Sequence, residues 1–198
     1  MVNANDWAFD RRKELSLLTG QLLIAMPQME DPRFEHSVVY LFSHSEEEGA
    51  MGIIINKTIE GLTEGELFAH LKIEGNAVSP QPVHFGGPVD SELGFVLHSP
   101  EYREEGTVGI GDDFALTTSF DVLRAMSKGE GPRRNLLALG YAGWGPGQLE
   151  AEIQANGWLV VAADTDLVFA ADDGGKWRRA LAKLGVKPEM LSAGVGRA

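Results

Sequence analysis

Two apolar runs joined by a short acidic turn place the strongest constraint on the fold of this chain. HSVVYLFSH (residues 36–44) and AMGIIINK (residues 50–57) are rich in β-branched and aromatic residues, and the turn between them, SEEEG, ends in glycine. Such a pair predicts a β-hairpin. We interpret the three glutamates of the turn as a solvated loop tip, because one side of a tight turn cannot easily bring several carboxylates onto one metal ion.

Strand-like and helix-like runs then alternate along the chain. Thr63, with Glu66 three positions later, forms a capping box for one helix, and Ser119 and Gly129 bound another as N-cap and stop. Apolar spacing predicts a last helix over GKWRRALAKLG (175–185). Hairpins mixed with strand–helix–strand units predict one α+β domain with a large mixed β-sheet and helices packed against it. The further predicted strands are GQLLIAMP (20–27), PVHFGG (82–87), LGFVLHS (93–99), FALTTS (114–119), RNLLALGY (134–141), WLVVAA (158–163) and TDLVFA (165–170).

The composition excludes several classes of site and partner. The 198 residues suffice for one domain, and the absence of cysteine removes disulfides, thiol nucleophiles, iron–sulfur clusters and thiolate zinc sites. The 17 Lys and Arg against 29 Asp and Glu give a net charge of −12, which repels nucleic acid at long range. No apolar run approaches the ~20 residues of a membrane helix, and the N-terminus lacks the pattern of a signal peptide. We therefore expect a cytoplasmic protein with no membrane association, for which direct nucleic acid binding is disfavoured.

The segment GYAGWGPGQLEAEI (140–153) has the layout of a phosphate-binding turn, with an apolar run before it and a helix-like pattern after it. Backbone N–H groups of such a turn can converge on an anion at a helix N-terminus. Three features oppose that interpretation: no Lys-Ser or Lys-Thr follows, the GxGxxG spacing is missing, and Pro146 removes a donor close to following glutamates. The favoured interpretation is a structural turn that lets Tyr141 and Trp144 pack closely.

A second glycine turn, FGGPVD (85–90), lies between two histidine-bearing strands. In the functional interpretation, Gly86 and Gly87 form a ligand-facing backbone turn, with His84 or His98 as acid–base partner. In the structural interpretation, which we favour, the turn is a tight crossing where only glycine fits, because no serine or cysteine nucleophile sits in an elbow motif. The five histidines form no HxxH, HxxxH or HExxH pattern, so the sequence predicts no metal ligands.

Three pairs of aspartates are candidates for acid–base chemistry or for Mg²⁺. Each pair falls in a predicted turn, where an aspartate bonds to its own backbone. We therefore predict turn chemistry for all three pairs. They are Asp112 with Asp113, Asp164 with Asp166, and Asp172 with Asp173.

Several of these motifs, taken together and in order, resemble the YqgE/AlgH family (DUF179, UPF0301). The motifs are GQLLIAMPQMEDPRFEHSVVYLFSHSEEEGAMGIIINK, FGGPVD followed by GFVLHS, LTTSFDVL, and LGYAGWGPGQLEAEIQANGWL. The resemblance covers the chain from Gly20 to the terminal helix. It implies a small bacterial cytosolic protein whose mixed sheet folds on itself in partly barrel-like fashion, with no assigned reaction or cofactor. The family's regulatory label comes from alginate production and implies a transcriptional regulator. We therefore expect residues 1–19 to be a variable N-terminal segment and 20–198 to form a single domain.

Three functions stay open on this basis. The first is a non-enzymatic regulatory or adaptor protein that acts on an unidentified protein partner. Its surface would form where Met26, Met29, Tyr141 and Trp144 come together.

The second function is a small-ligand binder or an enzyme, without a predicted cofactor. Its cleft would lie between the two glycine turns, Gly86-Gly87 and Gly143 to Gly147 with Gly145 at its centre, near one of the two strand histidines. The third is direct DNA binding, which the net charge disfavours.

Overall fold

The predicted hairpin forms the middle of one half of the sheet. In the computed structural model, which describes residues 18–75 and 79–191, its two strands pair in antiparallel register with Val39 opposite Ile54. The glutamates of the connecting turn are exposed, in agreement with a solvated tip.

Ten strands and six helices form within the described residues. The strands are β1 (Gln21–Ala25), β2 (Val38–Ser45), β3 (Gly49–Ile54), β4 (Thr58–Thr63), β5 (Pro82–Phe85), β6 (Val89–His98), β7 (Val108–Ile110), β8 (Phe114–Thr117), β9 (Asn135–Trp144) and β10 (Trp158–Ala162). The helices are α1 (Glu64–His70), α2 (Phe120–Lys128), α3 (Gln148–Gln154), α4 (Thr165–Val168), α5 (Asp173–Lys183) and α6 (Pro188–Leu191).

Strand β9 organises the sheet, because three other strands pair with it. β6 runs antiparallel along it, β3 pairs with its C-terminal end, and β5 pairs in parallel with its middle. The order is β10-β1-β2-β3-β9-β6-β8-β7, with β5 on β9 and β4 on β5. The sheet is therefore mixed, though mostly antiparallel, and it curls into a half-barrel with the helices packed against it. This single-domain α+β fold confirms the predicted fold class.

Buried side chains fall into three clusters, because alternate residues of the inner strands point to opposite faces. The largest cluster contains residues of most strands together with α4 and α5. A second holds the opposite faces of β1 to β3 with the end of β9, α3 and Trp158. The third lies where α1 and α2 cover β5, β6 and β9.

Capping residues in the sequence correctly predicted the start of α1 and both ends of α2. Thr63 and Glu66 form both hydrogen bonds of the capping box that starts α1. Ser119 caps α2, and Gly129 ends it in the left-handed conformation with φ 76°.

The predicted strand TDLVFA is wrong. Residues Thr165–Val168 form the short helix α4, because the side chain of Asp164 accepts a hydrogen bond from Leu167 N at 2.7 Å and caps it. Most of the predicted N-terminal segment 1–19, namely residues 1–17, lies outside the described residues, as do 192–198 at the end of the predicted domain. Among the described residues, none of the helices has the length and apolar character needed to cross a membrane.

Candidate functional site

The glycine segment after β9 forms a hydrogen-bonded corner. Trp144 is buried, and its indole Nε1 donates to Oε2 of Glu152 at 2.9 Å. Gly145 N donates to Oε1 of Gln148 at 3.1 Å, so one of the amide donors that an anion would use is already engaged. Gly143 and Gly147 are exposed, and Gly147 has a positive φ of 73°. These contacts give the segment a structural role at the corner between β9 and α3.

The four residues of the predicted partner surface do not share an exposed patch. Met26 and Trp144 are buried, and Met29 and Tyr141 are half-buried. Met29 and Trp144 belong to the second cluster, whereas Tyr141 packs against the largest one. Tyr141 and Trp144 are three positions apart on β9 and therefore point to opposite faces.

The Gly86-Gly87 turn crosses β9 with no room for a side chain. A Cβ at Gly86 would lie 2.2 Å from Gly140 O, and one at Gly87 would lie 2.1 Å from the carbonyl carbon of Tyr141. The space that a ligand would need at this turn is filled by protein backbone.

The two strand histidines lie in different surroundings. His98 is fully buried; its Nδ1 bonds to Ser99 O and its Nε2 to Thr117 Oγ1, both at 2.9 Å. Burial lowers the pKa of His98. His84 bonds instead through Nε2 to Oδ1 of Asp173 at 3.0 Å. His98 is therefore a packed structural residue, whereas His84 belongs to a buried charged group that joins β5 to α5.

Asp173 departs from the prediction of turn chemistry. Asp172 behaves as expected and caps α5 through Gly175 N at 3.0 Å. Asp173 instead accepts from His84 and, at 2.7 Å, from the buried ammonium of Lys176. Burial works to raise the pKa of Asp173, but its hydrogen bonds with His84 and Lys176 lower it overall.

An apolar cleft lies over the third cluster, between α1, α2 and the sheet. Its volume is about 290 Å³. Two large side chains at this cleft face solvent: Phe120 is 55% exposed and Leu71 is 40% exposed. The other apolar side chains that line it are Leu67, Leu93, Val96, Leu123, Leu137 and Leu139.

The edge of the cleft formed by β6 is acidic. Glu92 is the one charged side chain among the described residues that line it. Asp90, next to the lining residue Ser91, is exposed as well, whereas the charge of Asp121 is paired with Arg124 at 2.6 Å. The cleft thus combines an apolar lining, exposed at Phe120 and Leu71, with a negatively charged edge at β6, a combination suited to an apolar ligand that carries positive charge.

Sequence reasoning missed this cleft. Phe120 is three positions before Leu123 on α2, a spacing typical of two residues that are buried together. Leu123 is indeed buried, but Phe120 lies in the first turn, where no described element covers it. Periodicity therefore gave no signal for its exposure.

Comparison with known proteins gives consistent matches over nearly the whole chain. The AlgH-like family model (DUF179) matches residues 22–189. A UPF0301 protein of Methylobacterium sp. (strain 4-46) is 50% identical over 197 residues, covering 95% of this chain and 93% of that relative. A UPF0301 protein of Jannaschia sp. (strain CCS1) is 53% identical over 184 residues, covering 91% of this chain and 95% of the relative.

Two solved structures share the fold. The solution structure of the AlgH protein from Pseudomonas aeruginosa matches with a TM-score of 0.75 and 40% identity, over 94% of this chain and all of that one. The crystal structure of a protein from Corynebacterium diphtheriae matches with a TM-score of 0.68 over 91% of this chain and 94% of that one. At 21% identity, this second match supports a shared fold and nothing beyond it.

Proposed function

This chain belongs to the AlgH-like family (DUF179), and from that premise we propose that it is a non-enzymatic, cytoplasmic adaptor that binds an amphipathic helix of a protein partner in its apolar cleft. The observation that carries the proposal is the exposure of Phe120 and Leu71 at the edge of a cleft lined by leucines. Exposed apolar surface of this kind marks interaction sites in proteins that otherwise bury their large hydrophobic residues.

The chemistry of the cleft defines the partner. A volume of about 290 Å³ accommodates a few large apolar side chains, as in complexes where a helix presents residues at i, i+3 and i+4 to a groove. The acidic edge formed by Glu92 and its exposed neighbour Asp90 favours lysine or arginine beside those apolar anchors. The occupant that we propose is therefore a basic amphipathic helix.

The net charge of −12 supports an indirect regulatory role. A strongly acidic surface repels the phosphate backbone, so an effect on transcription would pass through the bound protein and not through DNA contacts. We expect the purified protein to show no salt-dependent affinity for duplex DNA.

The experiment compares Phe120→Asp with the control Met190→Asp as baits for affinity purification from the native host. Met190 is also an exposed hydrophobic residue, but it lies on α6 outside the cleft. We expect one partner to be retained by the wild type and the control and lost by the cleft variant. A synthetic peptide of the partner's basic amphipathic segment should then bind the wild type, and at least tenfold more weakly after Phe120→Asp.

Two results would overturn the proposal. In one, the partner binds the Phe120→Asp variant as tightly as it binds the wild type. In the other, light scattering shows a dimer of this chain that Phe120→Asp dissociates, so that the cleft binds a second copy.

A further inference from the structure

A second cavity lies on the other face of β9 and is polar. Its volume is about 200 Å³, and β5, the start of β9, the α4–α5 connection and α5 line it. Leu136 faces this cavity, whereas its neighbour Leu137 faces the apolar cleft. The two sites are therefore separate and share no lining residue.

A buried ion pair forms the inner wall of the cavity. The side chain of Lys176 is 1% exposed, and its Nζ donates to Asp173 Oδ1 at 2.7 Å and to Ile55 O at 2.8 Å. Burial lowers the pKa of Lys176, against the opposing effect of Asp173. These bonds connect α5 to the residue that follows β3. The ion pair of Lys176 and Asp173 therefore has a role in holding the fold together.

This structural role does not explain the unpaired ring nitrogen of His84. This side chain lines the cavity and is more than nine-tenths buried, yet its Nδ1 has no hydrogen-bond partner. An ionised carboxylate only accepts hydrogen bonds, so Nε2 must donate to Asp173. Nδ1 of the same ring is then left without a partner among the described residues. Buried polar atoms without a partner are rare and call for a ligand or an ordered water.

Two arginines lie at the same cavity, and they differ in how they are paired. The guanidinium of Arg133 is exposed and makes no hydrogen bond to the described residues. Arg134 also lines the cavity, but its guanidinium is already engaged: it donates to Thr165 O at 2.9 Å and pairs with Asp166 Oδ1 at 3.2 Å. In a chain with a net charge of −12, the exposed guanidinium of Arg133 beside a polar cavity is a local group that can bind an oxyanion.

We propose that this cavity binds a small hydroxylated organic oxyanion, a hydroxy acid or a phosphate ester of a small polyol. The anionic group contacts the exposed guanidinium of Arg133, and a hydroxyl group of the same molecule forms a hydrogen bond with Nδ1 of His84. The volume lies below the ~300 Å³ at which pockets for drug-sized ligands begin, so the ligand is smaller than a nucleotide.

Titration calorimetry with matched probes tests the proposal. Malate and succinate differ by one hydroxyl group, and glycerol 3-phosphate differs from inorganic phosphate by the polyol. We expect malate or glycerol 3-phosphate to bind about tenfold more tightly than its partner probe, because only the hydroxylated molecule satisfies Nδ1. The probe that binds distinguishes the carboxylate class from the phosphate class.

Variants then locate the site. Arg133→Gln, on an exposed side chain, should weaken binding at least tenfold, whereas the control Arg124→Gln, an exposed arginine on α2, should leave it unchanged. Nitrogen NMR of the imidazole rings should show the Nδ1 signal of His84 shifting on binding while that of His98, already bonded to Ser99 O, stays in place.

Three results would overturn the proposal. They are no saturable binding of any of the four probes, equal affinity of the hydroxylated and non-hydroxylated members of both pairs, and binding that Arg133→Gln and Arg124→Gln affect alike. Because the histidine itself is not replaced, none of these results can be attributed to a variant that fails to fold.

Discussion

Trp144 donates its indole Nε1–H to Oε2 of Glu152, 2.9 Å away, across the corner between β9 and α3. The same oxygen accepts the indole N–H of Trp158 at 2.8 Å, and the two indole rings meet edge to face at 5.8 Å. One carboxylate thus holds two buried tryptophans from different strands. The glycines of this segment suggested a site for a bound anion. The structure instead places the carboxylate of Glu152, a side chain of the protein, at this corner.

Replacing this carboxylate should destabilise the fold. Glu152→Ala leaves two buried indole N–H groups without an acceptor, and each unsatisfied donor costs about 1–3 kcal/mol. We expect the free energy of unfolding, measured with urea, to fall by about 2–4 kcal/mol. Gln154→Ala, at an exposed position of the same helix, is the control and should change it by less than about 0.5 kcal/mol. Equal effects of the two variants would contradict this role of Glu152.

The ion pair of Asp173 and Lys176 should show strong coupling. Asp173→Asn leaves a buried ammonium without its counter-charge, which costs about 3–5 kcal/mol. Adding Lys176→Met removes the unpaired charge, so the double variant should be more stable than Asp173→Asn alone. A double-mutant cycle of urea unfolding measures this, and strictly additive losses would show that the pair does not interact.

Stability should fall in acid partly through Asp173. The folded protein holds the pKa of this carboxyl below its usual value of 3.8, because the bonds from His84 and Lys176 outweigh the effect of burial. The folded state therefore binds fewer protons, and the contribution is complete above that usual value and lost as the pH falls through the folded pKa. The free energy of unfolding should decrease less steeply between about pH 5 and 3 in Asp173→Asn than in the wild type. Carbon NMR of the Asp173 carboxyl checks the pKa directly, and a midpoint at or above 3.8 would contradict the prediction.

Phe120 should matter little for stability. Its side chain is more than half exposed, so Phe120→Ser should change the free energy of unfolding by less than about 0.5 kcal/mol. Leu123→Ala, one turn further along the same helix at a buried position, should cost about 2–5 kcal/mol. Thermal and urea unfolding distinguish the two. A large loss at Phe120 would mean that this residue serves packing and not a partner.

Features set by neighbours in the sequence were predictable. The hairpin, the capping box at Thr63 and the helix bounded by Ser119 and Gly129 depend on residues a few positions apart, and all three form as expected. The mixed sheet followed from hairpins mixed with strand–helix–strand units. Its curl followed only from the family resemblance, since strand order depends on pairings such as that of β5 with β9, which residue patterns do not encode.

The candidate sites depend on distant residues, and so they escaped the sequence analysis. Asp172 and Asp173 look alike as a turn pair, but Asp173 meets His84 from 89 positions away. One signal was present: Lys176 lies four positions before the buried Ala180 of α5, which places a lysine on the apolar face. The open cleft at Phe120 left no such signal, because it arises where no described element covers an apolar helix turn.

The glycines differ in what they would tolerate, and substitution should separate close approach from backbone conformation. Gly86→Ala would place a Cβ 2.2 Å from Gly140 O and 3.1 Å from Ala138 Cβ, so β5 must move away from β9 at a cost of about 3 kcal/mol. Gly147→Ala meets no atom within 4 Å but keeps a φ of +73°, which costs about 1–2 kcal/mol. Gly147→Asn should recover part of that loss, since asparagine tolerates the left-handed region. At position 86, no other residue should restore the stability of the wild type. Urea unfolding of the three variants measures these losses of stability. A Gly86→Ala protein as stable as the wild type would show that the turn has room for a side chain where it crosses β9.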